Sequence, residues 1–212
     1  MARNRDPFTQ ALSSLRERIQ SGLLAGGAPI IVQDEARRLR LSTTPIREAL
    51  ARLSGEGLVE RAASGGYVTL RLDAPAVRDR YAMQGQYLHF AIRLNRRALG
   101  GSSPPAPDPD HEAPSLAVTR LFSSIVCSAG NQMLWEGYEK VSRQLEALRR
   151  LEPLLFDDLS TESEELYAAY ARDFTSAFPD VSDRFHERRI AAAGVLAALV
   201  IKRDRAPARS TD

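Results

Sequence analysis

The 212-residue chain is 43% hydrophobic and 26% charged, the make-up of an ordinary soluble globular protein with one large or two small domains. Its net charge of +2 excludes a polycation, but residues 1–72 carry 11 Arg against 7 acids (+4), and the other 18 Lys and Arg face 20 acids (−2). A basic first third suits a nucleic-acid-contacting module, and one cysteine excludes an intrachain disulfide and fits a reducing cytoplasm.

The polar N-terminus has no apolar core of a secretory signal. Phe8, Leu12, Leu15 and Ile19 recur at spacings of three and four and predict an amphipathic helix over 8–21, ending near Gly22. The turn Gly26-Gly27-Ala28-Pro29 leads into Ile30-Ile31-Val32, read as an edge strand, and a second helix from about Asp34 to Arg40. Ser42 then stands as an N-cap with Pro45 in the first turn, where its missing N–H costs nothing. The third helix shows Ile46, Leu50 and Leu53 on one face and stops at Gly55 or Gly57. Two β-prone runs, Leu58–Arg61 and Tyr67–Leu70, flank a Ser-Gly-Gly loop and read as a hairpin. Helix, strand, helix, helix, strand, strand is the order of a winged helix-turn-helix, whose third helix reads DNA and whose hairpin is the wing.

Asp73-Ala74-Pro75 opens a long helix to about Leu99. Residues 100–115 hold five prolines and no periodicity, a flexible excursion. Helical patterning resumes at Leu116, with breaks near Gly130, Pro153 and Pro179, and Thr161-Glu162-Ser163-Glu164 has the capping-box form that opens a helix. Cys127, on an apolar stretch, reads as a core thiol. The run Ile190–Ile201 is too short to span a bilayer and reads as a buried helix or a helix–helix interface. The expected fold is mainly α: a winged helix-turn-helix with an α/β wing over 1–72, then an all-α bundle over 73–212.

A helix that enters the major groove does so by its first turn, which offers free N–H groups and a partial positive charge to phosphate. Hydroxyls there suit phosphate, and a guanidinium suits guanine. Ser42, Thr43 and Thr44 supply three hydroxyls in a row, and Arg47 a guanidinium one turn on. Arg37 and Arg38 on the preceding helix and Arg61 beside the wing are placed for the DNA backbone, and Gly65 and Gly66 let the wing tip approach the minor groove.

Residues 15–71 resemble the winged helix of the GntR family. The resemblance rests on Ile19-Gln20-Ser21-Gly22, on Ser42-Thr43-Thr44-Pro45-Ile46-Arg47-Glu48-Ala49-Leu50, on the run Leu53–Arg61, and on Gly65-Gly66-Tyr67-Val68. It implies double-stranded operator DNA as partner. Four departures bear on affinity: Thr43 and Gln33 stand where the family often has arginine, Arg40 where a small turn residue is usual, and Glu35 where an apolar residue is usual. With two guanidinium contacts fewer, Arg47 is the main candidate for base reading, and Gln33 remains a candidate contact.

The helical remainder resembles, more loosely and over residues 76–204, the FCD-type C-terminal domain in its short six-helix form, through Phe122 and Ala129-Gly130-Asn131. Such domains often hold a metal on one Asp and three His. Here the matching positions are Thr119, Ser123, a site near Glu164, and His186, while His89 and His111 lie elsewhere in the pattern, so no metal and no cofactor is expected. What the resemblance leaves is a polar pocket for a small-molecule effector, lined by Gln84, His89, Thr119, Ser123, Asn131 and His186. Gln84 and Leu88 replace an arginine and a glutamate of the family, which makes a carboxylate effector less secure. A homodimer is implied, with the Ile190–Ile201 or the Met83–Leu94 helix as its seam.

An enzyme is disfavoured because no Ser/His/Asp spacing, metal cluster or phosphate-cradling glycine loop is present. The alternatives that stay open are a winged helix used for protein contact, and ligand-independent DNA binding with a purely structural helical domain.

Overall fold

The computed structural model describes residues 6–63, 65–100, 103–108 and 113–205. His111 and parts of the proline-rich segment lie outside them. Packing divides the chain into two units, Met1–Asp73 with Ala197–Asp212, and Ala74–Leu196. The stretch from Ala197 is thus grouped with the first unit.

In the first unit, α1 (Pro7–Gln20) starts where the Asp6 carboxylate accepts from the Thr9 N–H at 3.1 Å, with Pro7 at the first helical position. Its Ala11, Leu15 and Ile19 pack on Ile46, Ala49, Leu50 and Leu53 of α3 (Thr43–Gly55), and Ile30, Val32, Ala36, Leu58 and Val59 complete the core. Three short strands, β1 (Pro29–Ile30), β2 (Val59–Arg61) and β3 (Tyr67–Thr69), form an antiparallel sheet in the order β1-β3-β2. The expected strand over Ile30-Ile31-Val32 is cut short. The N–H groups of Asp34 and Glu35 already bond the Ile31 carbonyl, at 3.1 and 3.2 Å, so Val32 begins α2 (Val32–Leu39), earlier than the predicted Asp34.

Glu35 occupies an otherwise apolar face of α2 and is 5% exposed. It pairs with Arg18 of α1 and, at 2.9 Å, with Arg38. Glu56 is bracketed in the same way by Arg16 at 2.9 Å and Arg52 at 3.0 Å. A buried carboxylate is tolerated only when so paired.

The last helix among the described residues, α9 (Ala193–Arg205), begins in the second unit and ends in the first. There the Asp204 carboxylate accepts from the Gly26 N–H at 2.8 Å, and Arg203 donates to the Gln20 carbonyl at 3.0 Å. Gly22 has φ +83° and lies against Arg203, so both backbone and space call for glycine after α1.

The second unit contains α4 (Ala74–Ala98), α5 (Pro114–Ser128), α6 (Gln132–Arg149), a single 3-10 turn (Glu152–Leu154), α7 (Leu159–Arg172), α8 (Ala177–Ala191) and the start of α9. No strand occurs among its described residues. α4 packs on α5, α6 and α8, and α7 on α5 and α8. Phe122, Phe174, Phe178, Phe185 and Tyr170 form the aromatic centre of the core, mostly edge to face. Beside it Arg189, 1% exposed, donates to Glu152 at 2.9 and 3.0 Å and to Glu162 at 2.7 and 2.9 Å, with its guanidinium 3.4 Å from the Phe185 ring centre. Tyr81 of α4 donates to the same Glu152 at 2.7 Å.

Three further readings change. The capping box at Thr161 does not open a helix, because α7 starts at Leu159 behind Asp158, which pairs with Arg188 at 2.5 Å. Cys127 is exposed rather than a core thiol. The apolar run Ile190–Ile201 is not one helix; it breaks at Ala192 between α8 and α9. Among the described residues no helix is long and apolar enough to cross a membrane.

Replacing Glu35 by Gln leaves Arg18 and Arg38 short of their counter-charge and should cost about 1–3 kcal/mol in urea denaturation. Replacing Arg189 by Met strands two acids beside an apolar core and should cost about 3–5 kcal/mol by the same measurement.

Candidate nucleic-acid interface and polar site of the helical unit

α3 begins at Thr43 with Ser42 as its N-cap, but the Ser42 side chain makes no capping bond. The third helical position is Pro45, which has no N–H to give, so one of the two usual cap donors is missing. The hydroxyls of Ser42, Thr43 and Thr44 are exposed, as is Arg47, and none has a side-chain hydrogen bond or ion pair among the described residues. A row of free hydroxyls, open first-turn amides and one guanidinium is equipped to bind phosphate and the edge of a purine.

The flanking candidates are less uniform. Gln33 and Arg37 lie exposed on α2, and Arg37 has an exposed ion pair with Asp34 at 3.4 Å. Arg38 is drawn inward by Glu35 and by Ser14 at 2.9 Å. On the wing the Arg61 guanidinium stands 5.7 Å from the Tyr67 ring centre. Gly65 and Gly66, at φ +89° and +82°, form the exposed hairpin tip and have open space where a Cβ would be.

The six residues expected to line a pocket in the helical unit fall into two groups. Asn131 is an exposed N-cap of α6, accepting from the Leu134 N–H at 3.0 Å. His89 faces Asp183 at 2.5 Å near the surface, and Thr119 donates back to the Ser115 carbonyl at 2.7 Å. Each of these three is engaged locally. Gln84, 2% exposed, and Ser123 meet at the buried Tyr138 hydroxyl, Ser123 at 3.4 Å. Tyr138, with Ser142 and Arg149 behind it, was missed by motif reading because a tyrosine on an apolar face is indistinguishable from core.

His186 is buried on α8, stacked on Phe122 with ring centres 5.5 Å apart and backed by Gly85. Its Nδ1 lies 2.6 Å from the Ser182 carbonyl, which only accepts, so Nδ1 carries the proton. Nε2 is then a buried lone pair with no hydrogen-bond partner among the described residues. Burial, aided by Arg189, lowers the imidazole from 6.5 to about 4. The donor set does not suit a divalent metal: Thr119 and Ser123 offer neutral hydroxyls, Glu164 is exposed, and His186 is a single imidazole. A cavity of about 250 Å³ lies in the first unit, lined by residues of the Ala25-Gly26 turn, of Arg71-Leu72-Asp73 and of α9.

Below pH 6.5 the unfolded chain takes up a proton that folded His186 refuses until about pH 4. Stability should therefore fall as the pH drops through that window, by up to about 1.4 kcal/mol per unit from this group. Urea midpoints of His186→Leu should lose that slope between pH 6.5 and 4.5.

Residues 8–68 match the profile of bacterial regulatory proteins of the gntR family. No curated protein matches the chain. Among solved structures it is similar to Lar, described as controlling expression of the Listeria monocytogenes agr system and mediating virulence (16% identity, 93% of this chain and 99% of that one, TM-score 0.57). It is also similar to McbR/YncC of E. coli (18%, 89% and 97%, TM-score 0.58). A transcriptional regulator GntR from Rhodococcus sp. RHA1 shares 18% identity over 88% of this chain and 96% of its own, with TM-score 0.60. Residues 8–68 are thus a GntR-family winged helix-turn-helix domain, in a chain with the fold of GntR regulators that carry a helical C-terminal domain.

Proposed function

We propose that the chain is a transcription regulator, a repressor acting as a homodimer in the cytoplasm, that binds operator DNA through its winged helix and is modulated by a small molecule in its helical unit. The observation that carries the DNA half is the first turn of α3, where the hydroxyls of Ser42, Thr43 and Thr44 and the Arg47 guanidinium are exposed and have no side-chain partner among the described residues. In this reading Arg47 enters the major groove, the hydroxyls and Gln33, Arg37 and Arg61 meet phosphate, and Gly65-Gly66 brings the wing to the minor groove.

The effector half rests on the resemblance of the helical unit to FCD-type domains, on the polar group formed by Gln84, Ser123 and Tyr138, and on the buried His186. An unpartnered lone pair on His186 Nε2 favours a ligand that presents a hydrogen-bond donor, bound directly rather than through a metal. A ligand preferring one helix packing would shift the population of DNA-competent dimers. The internal engagement of His89, Thr119 and Asn131 favours a second reading, in which the helical unit is structural and DNA binding is ligand-independent.

Fluorescence anisotropy with DNA from upstream of the chain's own gene, against random duplex, tests the first half. Tight, salt-sensitive and selective binding is expected, weakened about 10- to 100-fold by Arg47→Ala. Equal affinity of wild type and variant defeats the assignment. A screen of small polar molecules for loss of that signal tests the second half. A hit silenced by Gln84→Leu supports the pocket, and a screen without hits supports the ligand-independent reading.

A further inference from the structure

All the cations of residues 1–72 are arginines. Among those whose surroundings the structure describes, Arg16 and Arg52 serve Glu56, Arg18 and Arg38 serve Glu35, Arg37 meets Asp34, and Arg61 lies over Tyr67. Arg40, Arg47 and Arg71 have no acidic or aromatic partner among the described residues. Two of these three, Arg40 and Arg47, flank the α2–α3 corner.

Arg40 is the stranger of the two. It follows the last residue of α2 at φ 55°, ψ 42°, and is the one non-glycine residue with positive φ among the described residues. The geometry is enforced by the helix end: the Arg40 N–H bonds the Arg37 carbonyl at 3.2 Å, and the Leu41 N–H reaches back to Ala36 at 3.0 Å. Glycine occupies such a position without steric cost, whereas an arginine brings backbone strain and a long side chain. Nothing within the fold repays that strain, since the side chain is exposed and unpaired. Strain of this kind persists where an external contact makes use of the side chain. Ser42, Thr43 and Thr44, whose hydroxyls are also free, come two to four residues later on the same exposed corner.

We propose that Arg40 is a DNA-backbone contact, holding a phosphate beside the first turn of α3 and so setting how that turn enters the groove. This rests on the DNA-binding reading above. A phosphate contact carries charge but no sequence information, so its loss should weaken binding to all duplexes alike.

The test uses the full chain and a 30-base-pair duplex that the wild type has selected from random sequence, with anisotropy read from low to moderate salt. Arg40→Gly and Arg40→Gln should each reduce the slope of log affinity against log salt by about 0.9, while Arg40→Lys should keep it. Arg40→Gly should also unfold no earlier than wild type in calorimetry, because it removes the left-handed strain. A wild-type slope in both the Gly and Gln variants overturns the proposal while leaving the DNA reading intact. So does a Gly variant that weakens DNA binding only in step with a lowered unfolding midpoint. A wild-type chain that selects no duplex overturns the DNA reading and this proposal together.

Discussion

The helical unit is organised around a buried guanidinium. Arg189 is 1% exposed, and a bare charge there would be prohibitive, so four elements are obliged to converge on it. The 3-10 turn brings Glu152, α7 brings Glu162, and α8 carries the arginine itself over Phe185. α4 enters through Tyr81, whose hydroxyl is pushed well up by burial and by the neighbouring Glu152 and so stays a donor. Three residues before Arg189 on α8 is His186, and the same positive charge helps to keep that imidazole neutral. The lone pair that makes this region a candidate ligand site is therefore held chiefly by burial, with the charge knot beside it as a smaller aid.

The winged helix follows the opposite logic on its surface. Its acids are few, and the two most buried, Glu35 and Glu56, each occupy two arginines. Those four guanidinium groups tie α1, α2 and α3 together and already have counter-charges within the fold. The positive potential at the reading corner thus comes from a minority of the arginines that the composition counts, and the basic excess of the first third overstates what DNA would meet.

The order of elements was legible in the sequence because it depends on local signals: apolar spacing in α1 and α3, the proline after Ser42, and glycines at the wing tip. Where the sequence misled, a local signal lost to a neighbour. Val32 has strand propensity, but its side chain is buried equally well as the first residue of a helix. Thr161 to Glu164 has the spacing of a cap, yet Asp158 lies earlier and Glu162 is claimed by Arg189. Cys127 follows Ile125 and Val126 on an apolar run, but one residue further turns it about 100° around the helix and into solvent. Of the pocket candidates, Gln84, Ser123 and His186 point to the interior, whereas Asn131 satisfies a helix end. Tyr138 and Arg149 were invisible to spacing, since their role depends on partners in other helices.

The winged-helix unit is also discontinuous along the chain, since the part of α9 beyond Leu196 packs with it and Arg203 and Asp204 bond its Gln20–Gly26 turn. On the ribosome, residues 1–73 emerge long before that segment exists. The unit can collapse early around its own core, but the backbone groups of Gln20 and Gly26 acquire these partners only when synthesis has passed through every helix of the second unit. Completion of the DNA-binding unit is in this way timed to follow the making of the helical one.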